Sequence, residues 1–466
     1  MPGPMKTKVL VVGGGPGGYV AAIRAGQLGL DTVLVEADKL GGTCLIRGCI
    51  PSKALIHAAD DYAALLEKVG TGKMGISISA PPKLDLAATT AWKETVVGKL
   101  NTGVKALLKK AHVKVVEGFA RFTDAKTCEV ETAQGVQTIV AENVILATGS
   151  VPVELPFLPF GGDVISSTEA LSLTELPKKL VVVGAGYIGL ELGIAFRKLG
   201  SEVTVVEALP NILPLYDAEL IAPVQAWLKE HGVKLHLSAK ALGLGPKGQG
   251  LAIEDADGSK HVLPADKILV TVGRRPFTEG WGLETMGLAM NGRFVAVDDR
   301  LRTAMKGVYA IGDLTGEPML AHKASAQGEM VAEIIAGHNR RFDPVAIPAV
   351  CFTEPEIVSV GLSPREAEAQ GIAVTVGLFP LAANGRALSM EAGKGFVRVV
   401  AEASSHRVLG VQAVGRHVSE LSGGFSHALE MGALLEDVAG TIHAHPTLGE
   451  AFHEASLKAL GHAIHI

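Results

Sequence analysis

Apolar residues follow two rhythms along the chain. Short apolar runs at residues 8–12, 32–35, 144–147, 181–183, 203–206, 267–272 and 308–311 have the near-continuous character of strands buried on both faces. Stretches with helical spacing predict helices after residue 15 to about 28, over 54–69, around 92–111, over 322–337, and at 419–431 and 447–460. Alternation over 113–131 reads as strand-like, residues 76–82 as a Pro/Ser-rich loop, and further strands are expected near 350, over 395–400 and over 408–415. Strands alternating with helices predict an α/β chain with parallel sheets, followed by a tail of different character. At 466 residues the chain exceeds what one core supports, and about three domains are expected. The pattern divides at residues 1–150, 151–275, 276–345 and 346–466, with the third segment returning to the first domain.

The turns after two of the strands carry chemistry. Residues 8–12 run into Gly13-Gly14-Gly15-Pro16-Gly17-Gly18 and then an Ala-rich helix. In a G-x-G-x-x-G turn the first glycine makes the tight turn, the second admits a pyrophosphate to the backbone, and the third lets helix and strand pack closely. Glu36 ends the next strand, where a ribose hydroxyl needs a carboxylate. The unit recurs: Gly13, Gly15, Gly18 and Glu36 map onto Gly184, Gly186, Gly189 and Glu207 at a constant offset of 171. Two dinucleotide sites are expected. Glu207 repels a 2′-phosphate and no Lys or Arg follows until Lys229, so the second site favours NAD over NADP.

Composition narrows the function. Apolar residues make up 48% and charged residues 20%, with 56 glycines, as a packed nucleotide-binding protein requires. The net charge is −5, and no basic run interleaves with aromatics, which gives no footprint for nucleic acid. No apolar run reaches the ~18–20 residues of a membrane span, and the apolar stretch near the N-terminus is too short for a signal peptide, so a cytoplasmic protein is expected.

Four cysteines in so long a chain do not make a secreted disulfide framework. Cys128 and Cys351 are expected to be buried and inert. Cys44 and Cys49 stand five apart; on a regular helix their Cα atoms would lie at least ~7.5 Å apart, too far to bridge. A pair of core thiols, two metal ligands, or a disulfide across a distorted helix all remain open on this ground. Gly48 permits the distortion, and Pro51 limits regular hydrogen bonding after it. His445 and Glu450 flank Pro446; Thr447 and Glu450 fit a capping box, whereas a His–Glu dyad needs His445 in the loop before the helix.

Taken together, residues Gly42 to Lys53, the run Ala147-Thr148-Gly149-Ser150, Gly186-Tyr187-Ile188-Gly189-Leu190-Glu191, Ala310-Ile311-Gly312-Asp313, Met319-Leu320-Ala321-His322 and His443 to Glu450 carry a resemblance over essentially the whole length. The chain resembles the dihydrolipoamide dehydrogenases, class I pyridine nucleotide-disulfide oxidoreductases that serve as E3 flavoproteins of 2-oxoacid dehydrogenase complexes. Among them it is most similar to those of branched-chain complexes. It departs in carrying Ile46-Arg47 between the cysteines, where the family usually has Asn and an aliphatic residue.

The resemblance implies two Rossmann-like domains for FAD and NAD and a C-terminal α+β interface domain that makes a homodimer. FAD would take Gly13, Gly15, Gly18, Glu36, Gly42, Thr43, Lys53, Ala120, Thr148, Gly149, Ser150, Asp313 and Ala321, with Lys53 paired to Glu191. NAD would take Gly184, Gly186, Gly189, Glu207 and Gly273. Cys44 and Cys49 would form the redox disulfide, with Cys44 meeting the substrate and Cys49 the flavin. His445 would be the acid/base and Glu450 its orienting partner, and no metal is implied. The lipoyl domain of an E2 would bring the substrate from another chain. The alternative implied is reduction of another disulfide, or of a metal ion, by a relative in the same superfamily.

Overall fold

The computed structural model describes residues 3–70 and 72–466. Met1 and Pro2, where the reading for a signal peptide begins, and Thr71 lie outside the described residues. The first unit is built on a seven-stranded sheet. Lys114–Glu117, Thr32–Glu36, Met5–Val12, Gly135–Leu146 and Val308–Ala310 run parallel; Thr127–Thr132 pairs antiparallel with the first half of Gly135–Leu146, and Phe119–Phe122 pairs antiparallel with Thr127–Thr132. The unbroken apolar character of residues 9–12 follows from this placement. Val9 and Val11 enter one core with Ala21, Leu108 and Met330, while Leu10 and Val12 enter another with Phe122, Trp281 and Leu146.

The second unit is a five-stranded parallel sheet in the order Lys234–Leu237, Glu202–Glu207, Lys179–Val183, Lys267–Val270, Val164–Ile165. The chain enters and leaves it through Ser150–Pro152 and Arg274–Pro276, which pair antiparallel. The returning helix Ala321–Ile335 lies along Pro16–Gln27 so closely that a Cβ on Gly328 would meet the Gly17 carbonyl oxygen at 2.3 Å. The last unit is an antiparallel sheet, Ala349–Cys351, Glu356–Gly361, Val408–Gly415, Phe396–Glu402, Val374–Pro380, covered by the helices Ser422–Glu430 and Glu450–Ala459.

Several elements differ from the sequence reading. The helix expected around 92–111 begins at Leu86, because the Asp85 carboxylate caps it by accepting from the Ala88 N–H at 2.9 Å. The helix expected from Thr447 begins at Glu450. A three-stranded antiparallel sheet, Lys240–Leu244, Leu251–Glu254 and Lys260–Leu263, was not expected, since Gly243, Gly245, Gly248 and Gly250 interrupt its alternation. Strands Glu356–Gly361 and Val374–Pro380 were also missed. Among the described residues no helix is long and apolar enough to cross a membrane.

Candidate functional site

The two glycine turns fold as duplicates. Gly13 and Gly184 both have φ of 100° and donate to Val35 and Val206 carbonyls at 2.9 Å. A Cβ on Gly18 would lie 1.7 Å from the Gly13 oxygen, and one on Gly189 would lie 2.3 Å from the Gly184 oxygen, so the third glycine of each turn tolerates no side chain. On Gly15 a Cβ would find nothing nearer than 3.9 Å, which is the open approach a pyrophosphate needs in front of a helix N-terminus. Glu36 accepts from the Gly14 N–H at 2.6 Å and the Asp38 N–H at 2.8 Å. Glu207 repeats the arrangement with Ala185 at 2.6 Å and Leu209 at 2.9 Å. Burial raises the Glu36 pKa, opposed by the Gly14 and Ala37 N–H groups and by Arg47.

An elongated cavity runs from this first turn to the cysteines. Its walls include Gly13, Gly15, Glu36, Gly42 and Thr43 together with Lys53, Thr148, Gly149, Ser150, Asp313 and Ala321. The cysteine segment shows the distortion that a disulfide at this spacing requires. Helix Gly42–Arg47 stops, Gly48 turns the backbone (φ −139°, ψ −109°), and helix Cys49–Leu66 begins. A Cβ on Gly48 would press to 2.9 Å from the Thr43 oxygen. Cys44 and Cys49 are present as free thiols, and both line the cavity. Their hydrogen bond, with the Cys44 thiol donating, raises the Cys44 pKa, and burial adds to the rise. The same bond, helped by Lys53, lowers Cys49 to about 7 against burial and Glu191. The reduced pair is therefore asymmetric, with its thiolate on Cys49.

Two polar networks flank the pair. Lys53 Nζ lies 2.7 Å from Glu191 Oε2 and 4.3 Å from the centre of the Phe352 ring, and Glu191 Oε1 accepts from the Phe352 N–H at 2.9 Å. Ser150 donates to Asp313 Oδ2 at 2.5 Å, while Arg274 donates from Nε to Ser150 Oγ at 2.8 Å and from Nη2 to the Ser150 carbonyl at 2.7 Å. Arg274 and Tyr187, which also line the cavity, were not singled out as site residues by the sequence reading. The only signal for Arg274 was its place after Gly273. Arg47 pairs with Asp38, towards the Glu36 end of the cavity.

Other expected site residues lie elsewhere. Ala120 does not line the cavity. It is buried in strand Phe119–Phe122, where it packs in the core of the first unit, although the preceding Gly118 N–H bonds the Glu36 carbonyl. Gly18 is buried behind the turn. Gly184, Gly186, Gly189, Glu207 and Gly273 stand on the second unit outside the cavity, which that unit reaches through Tyr187, Ile188, Glu191, Leu192 and Arg274. His445 and Glu450 are also absent from its walls. His445 Nδ1 is 2.8 Å from Glu450 Oε1, with the imidazole 79% exposed. Glu450 Oε2 accepts from the Thr447 N–H at 2.8 Å, so half of the capping box and the dyad share one carboxylate. The Thr447 hydroxyl instead donates to the Ala444 carbonyl. Burial opposes ionisation of Glu450, but Thr447 and His445 outweigh it and its pKa is lowered. Cys128 and Cys351 are buried, which pushes both thiols up to about 12.

The chain matches the family model described as pyridine nucleotide-disulphide oxidoreductase over residues 7–328, and the dimerisation domain of that family over residues 347–456. It is 60% identical to a dihydrolipoyl dehydrogenase of Pseudomonas aeruginosa, covering 99% of both chains, and 48% identical to dihydrolipoyl dehydrogenase 2 of Haloarcula marismortui, covering 98% of both. Among solved structures, LpdA of Mycobacterium tuberculosis superposes with a TM-score of 0.89 at 28% identity, covering 97% of this chain and 99% of that one. The HOCl-induced flavoprotein disulfide reductase RclA of Escherichia coli, in its Cu(II) complex, superposes with a TM-score of 0.86 at 25% identity, covering 97% and 99%. Two duplicated nucleotide turns, a cysteine pair at a helix break and these matches lead to one conclusion: the chain belongs to the pyridine nucleotide-disulphide oxidoreductase family.

Proposed function

We propose that the protein is an FAD-dependent dihydrolipoamide dehydrogenase that reduces NAD+, working as a homodimer on the lipoyl arm of a 2-oxoacid dehydrogenase complex. The observation that carries this reading is the Cys44–Cys49 pair at the Gly48 break, beside Lys53 and Glu191 and between the two nucleotide units. The cavity fits FAD. Gly15 leaves open space in front of the helix N-terminus, Glu36 is placed for a ribose, and Ser150 and Asp313 present polar groups along the cavity. When bound there, FAD supplies two-electron chemistry between the dithiol and NAD+.

The chain's own residues handle protons and thiols. With Nδ1–H given to Glu450, His445 keeps a lone pair on Nε2 to take the proton of one dihydrolipoamide thiol. That thiolate attacks Cys44 Sγ, the Cys44–Cys49 bond breaks, and Cys49 leaves as a thiolate, the state that its lowered pKa favours. The second substrate thiol attacks the sulfur now joined to Cys44. Lipoamide closes its own disulfide, and the displaced Cys44 takes the second thiol's proton. Two electrons have then passed from substrate to protein, one proton rests on His445 and one on Cys44. Since His445 stands outside the cavity of its own chain, it serves the disulfide of a second chain across the dimer.

The test is a steady-state comparison of NAD+ with NADP+, using dihydrolipoamide and reduced glutathione as donors. Turnover with dihydrolipoamide and NAD+ alone is the expected result. Turnover with NADP+ and glutathione, or a protein purified without flavin, would overturn the proposal.

A further inference from the structure

On the second unit, apart from the cavity, three metal-ligating side chains from three separate segments converge. His236 sits in Lys234–Leu237, the edge strand of the parallel sheet. Asp255 follows strand Leu251–Glu254, and His261 lies in Lys260–Leu263, so both belong to the antiparallel sheet beside it. His236 Nδ1 is 2.8 Å from Asp255 Oδ1, and His261 Nε2 is 3.6 Å from Asp255 Oδ2. One donor atom from each residue falls within 4.8 Å of the other two.

An ordinary ion pair accounts for only part of this arrangement. It explains His236 against one carboxylate oxygen but not the second imidazole, held past hydrogen-bonding distance from the other oxygen. The rings stand 5.6 Å apart between centroids at 52°, tilted rather than stacked. Ligands at about 2.0–2.2 Å around a tetrahedral ion are spaced roughly 3.3–3.5 Å from one another. The two observed separations, one to each Asp255 oxygen, bracket that spacing, and the whole donor set lies within 4.8 Å.

The surroundings suit a cation. The Asp255 backbone is fixed by a turn, with its N–H donating to the Ser259 carbonyl and its carbonyl accepting from the Gly258 N–H, both at 2.9 Å. Lys260, next to His261 in the chain, is engaged by Glu254 at 3.1 Å. Side-chain exposures of 21%, 25% and 40% for His236, Asp255 and His261 leave a route in and an open face for water.

We propose that His236, Asp255 and His261 bind a divalent late first-row transition ion of the Zn2+ kind, clamping the antiparallel sheet to the edge of the nucleotide-binding sheet. Two imidazoles and one carboxylate suit such an ion, whereas Mg2+ and Ca2+ call for all-oxygen donors.

The test uses the flavin-loaded protein with Cys44 and Cys49 oxidised, so that those thiols cannot take the metal. Equilibrium dialysis against Zn2+ with elemental analysis, and thermal unfolding with and without Zn2+, compare the unaltered chain with a His236→Gln/His261→Gln variant. The unaltered chain is expected to hold a Zn2+ equivalent that the variant lacks, and to gain a Zn2+-dependent rise in melting temperature that Mg2+ does not give. Equal Zn2+ uptake by the two proteins overturns the proposal. Metal-free melting temperature and dihydrolipoamide turnover report whether the double variant folds. If it does not, His261→Gln alone, on the exposed strand, is expected to weaken Zn2+ binding by about tenfold or more, and an unchanged affinity overturns the site.

Discussion

Lys53 Nζ and Glu191 Oε2 meet at 2.7 Å, and this contact joins three parts of the chain. Lys53 comes from the cysteine helix, Glu191 from the helix after the second glycine turn, and the other Glu191 oxygen holds the Phe352 N–H of the last unit. The Glu191 carboxylate is 4% exposed, so its charge is compensated by Lys53 and that N–H rather than by water. The two partners act on Cys49 with opposite signs: Lys53 lowers its pKa and Glu191 raises it.

Those signs make a paired prediction. Lys53→Met removes the lowering charge, so the Cys49 pKa rises above about 7. Glu191→Gln removes the raising charge, so it falls. The measurement is a pH titration of the long-wavelength thiolate-to-flavin band in the two-electron-reduced protein. Midpoints that move in the same direction in both variants would contradict the arrangement.

In the unaltered protein that band should be half-developed near pH 7, present at alkaline pH and lost in acid, because Cys49 titrates at about 7. The sign for stability follows. The fold lowers the Cys49 pKa, so its contribution to the reduced protein's stability is complete above the unfolded thiol's pKa and is lost as pH falls through about 7. Cys49→Ser should abolish both the band and this part of the pH dependence of unfolding. A band that survives the substitution would place the thiolate elsewhere.

The third glycines allow the two nucleotide sites to be separated. Gly18→Ala forces a Cβ to 1.7 Å from the Gly13 oxygen, and the flavin-to-protein absorbance ratio should drop several-fold. Gly189→Ala meets the Gly184 oxygen at 2.3 Å and Thr271 Oγ1 at 2.5 Å. It should leave flavin content intact and raise the KM for NAD+ by at least about tenfold. Flavin loss in Gly189→Ala would reverse the assignment of the sites.

What the sequence displayed and what it hid divide along chain distance. The glycine turns, Glu36 and Glu207, and the Cys44–Cys49 spacing are local: each turn and its acid fall within one strand–helix–strand unit, and helix geometry made a break near Gly48 the condition for the cysteines to pair. Arg274 was hidden because its partner Ser150 lies 124 residues earlier, and Phe352 because it meets Glu191 across 161 residues. Ala120, expected to bind the cofactor, stands outside the cavity lining in a strand paired with Val130, where it packs in the core. The His236, Asp255 and His261 cluster has no spacing signature, since sheet packing alone brings the edge strand to the hairpin. At Thr447 the pattern allowed a capping box or a dyad, and the carboxylate of Glu450 serves half of one and all of the other.

Arg398 provides a test of how the last unit is fastened to the second. Its guanidinium is 3% exposed; it donates to Gln412 Oε1 at 3.0 Å and Glu219 Oε2 at 2.6 Å and pairs with Asp217, the residue that caps helix Ala218–Glu230. Glu219 is largely exposed and screened, so the Asp217 and Gln412 contacts carry most of the effect. Arg398→Ala leaves those partners without their cation and should cost about 3–5 kcal/mol. Denaturant unfolding reads the loss, and a change below about 1 kcal/mol would reduce the cluster to the value of a surface pair.

His445 and Glu450 carry the last prediction, because their geometry separates proton transfer from thiol chemistry. His445→Gln removes the base but touches neither the cavity nor the cysteines, so dihydrolipoamide turnover should fall by roughly 10²–10⁴ while flavin reduction by NADH stays near its original rate. Glu450→Gln is a subtler change. The amide oxygen can still accept from Nδ1–H or from the Thr447 N–H, but without the charge that strengthens both bonds. Turnover should drop less than in His445→Gln, because the imidazole is kept and only its orienting partner is weakened. Turnover equal to that of the unaltered chain would leave Glu450 as a helix cap alone. Mixing His445→Gln subunits with Cys44→Ser subunits then tests action across chains. Each homodimer is inactive, and the mixed dimer regains one intact site only if His445 of one chain serves the cysteines of the other.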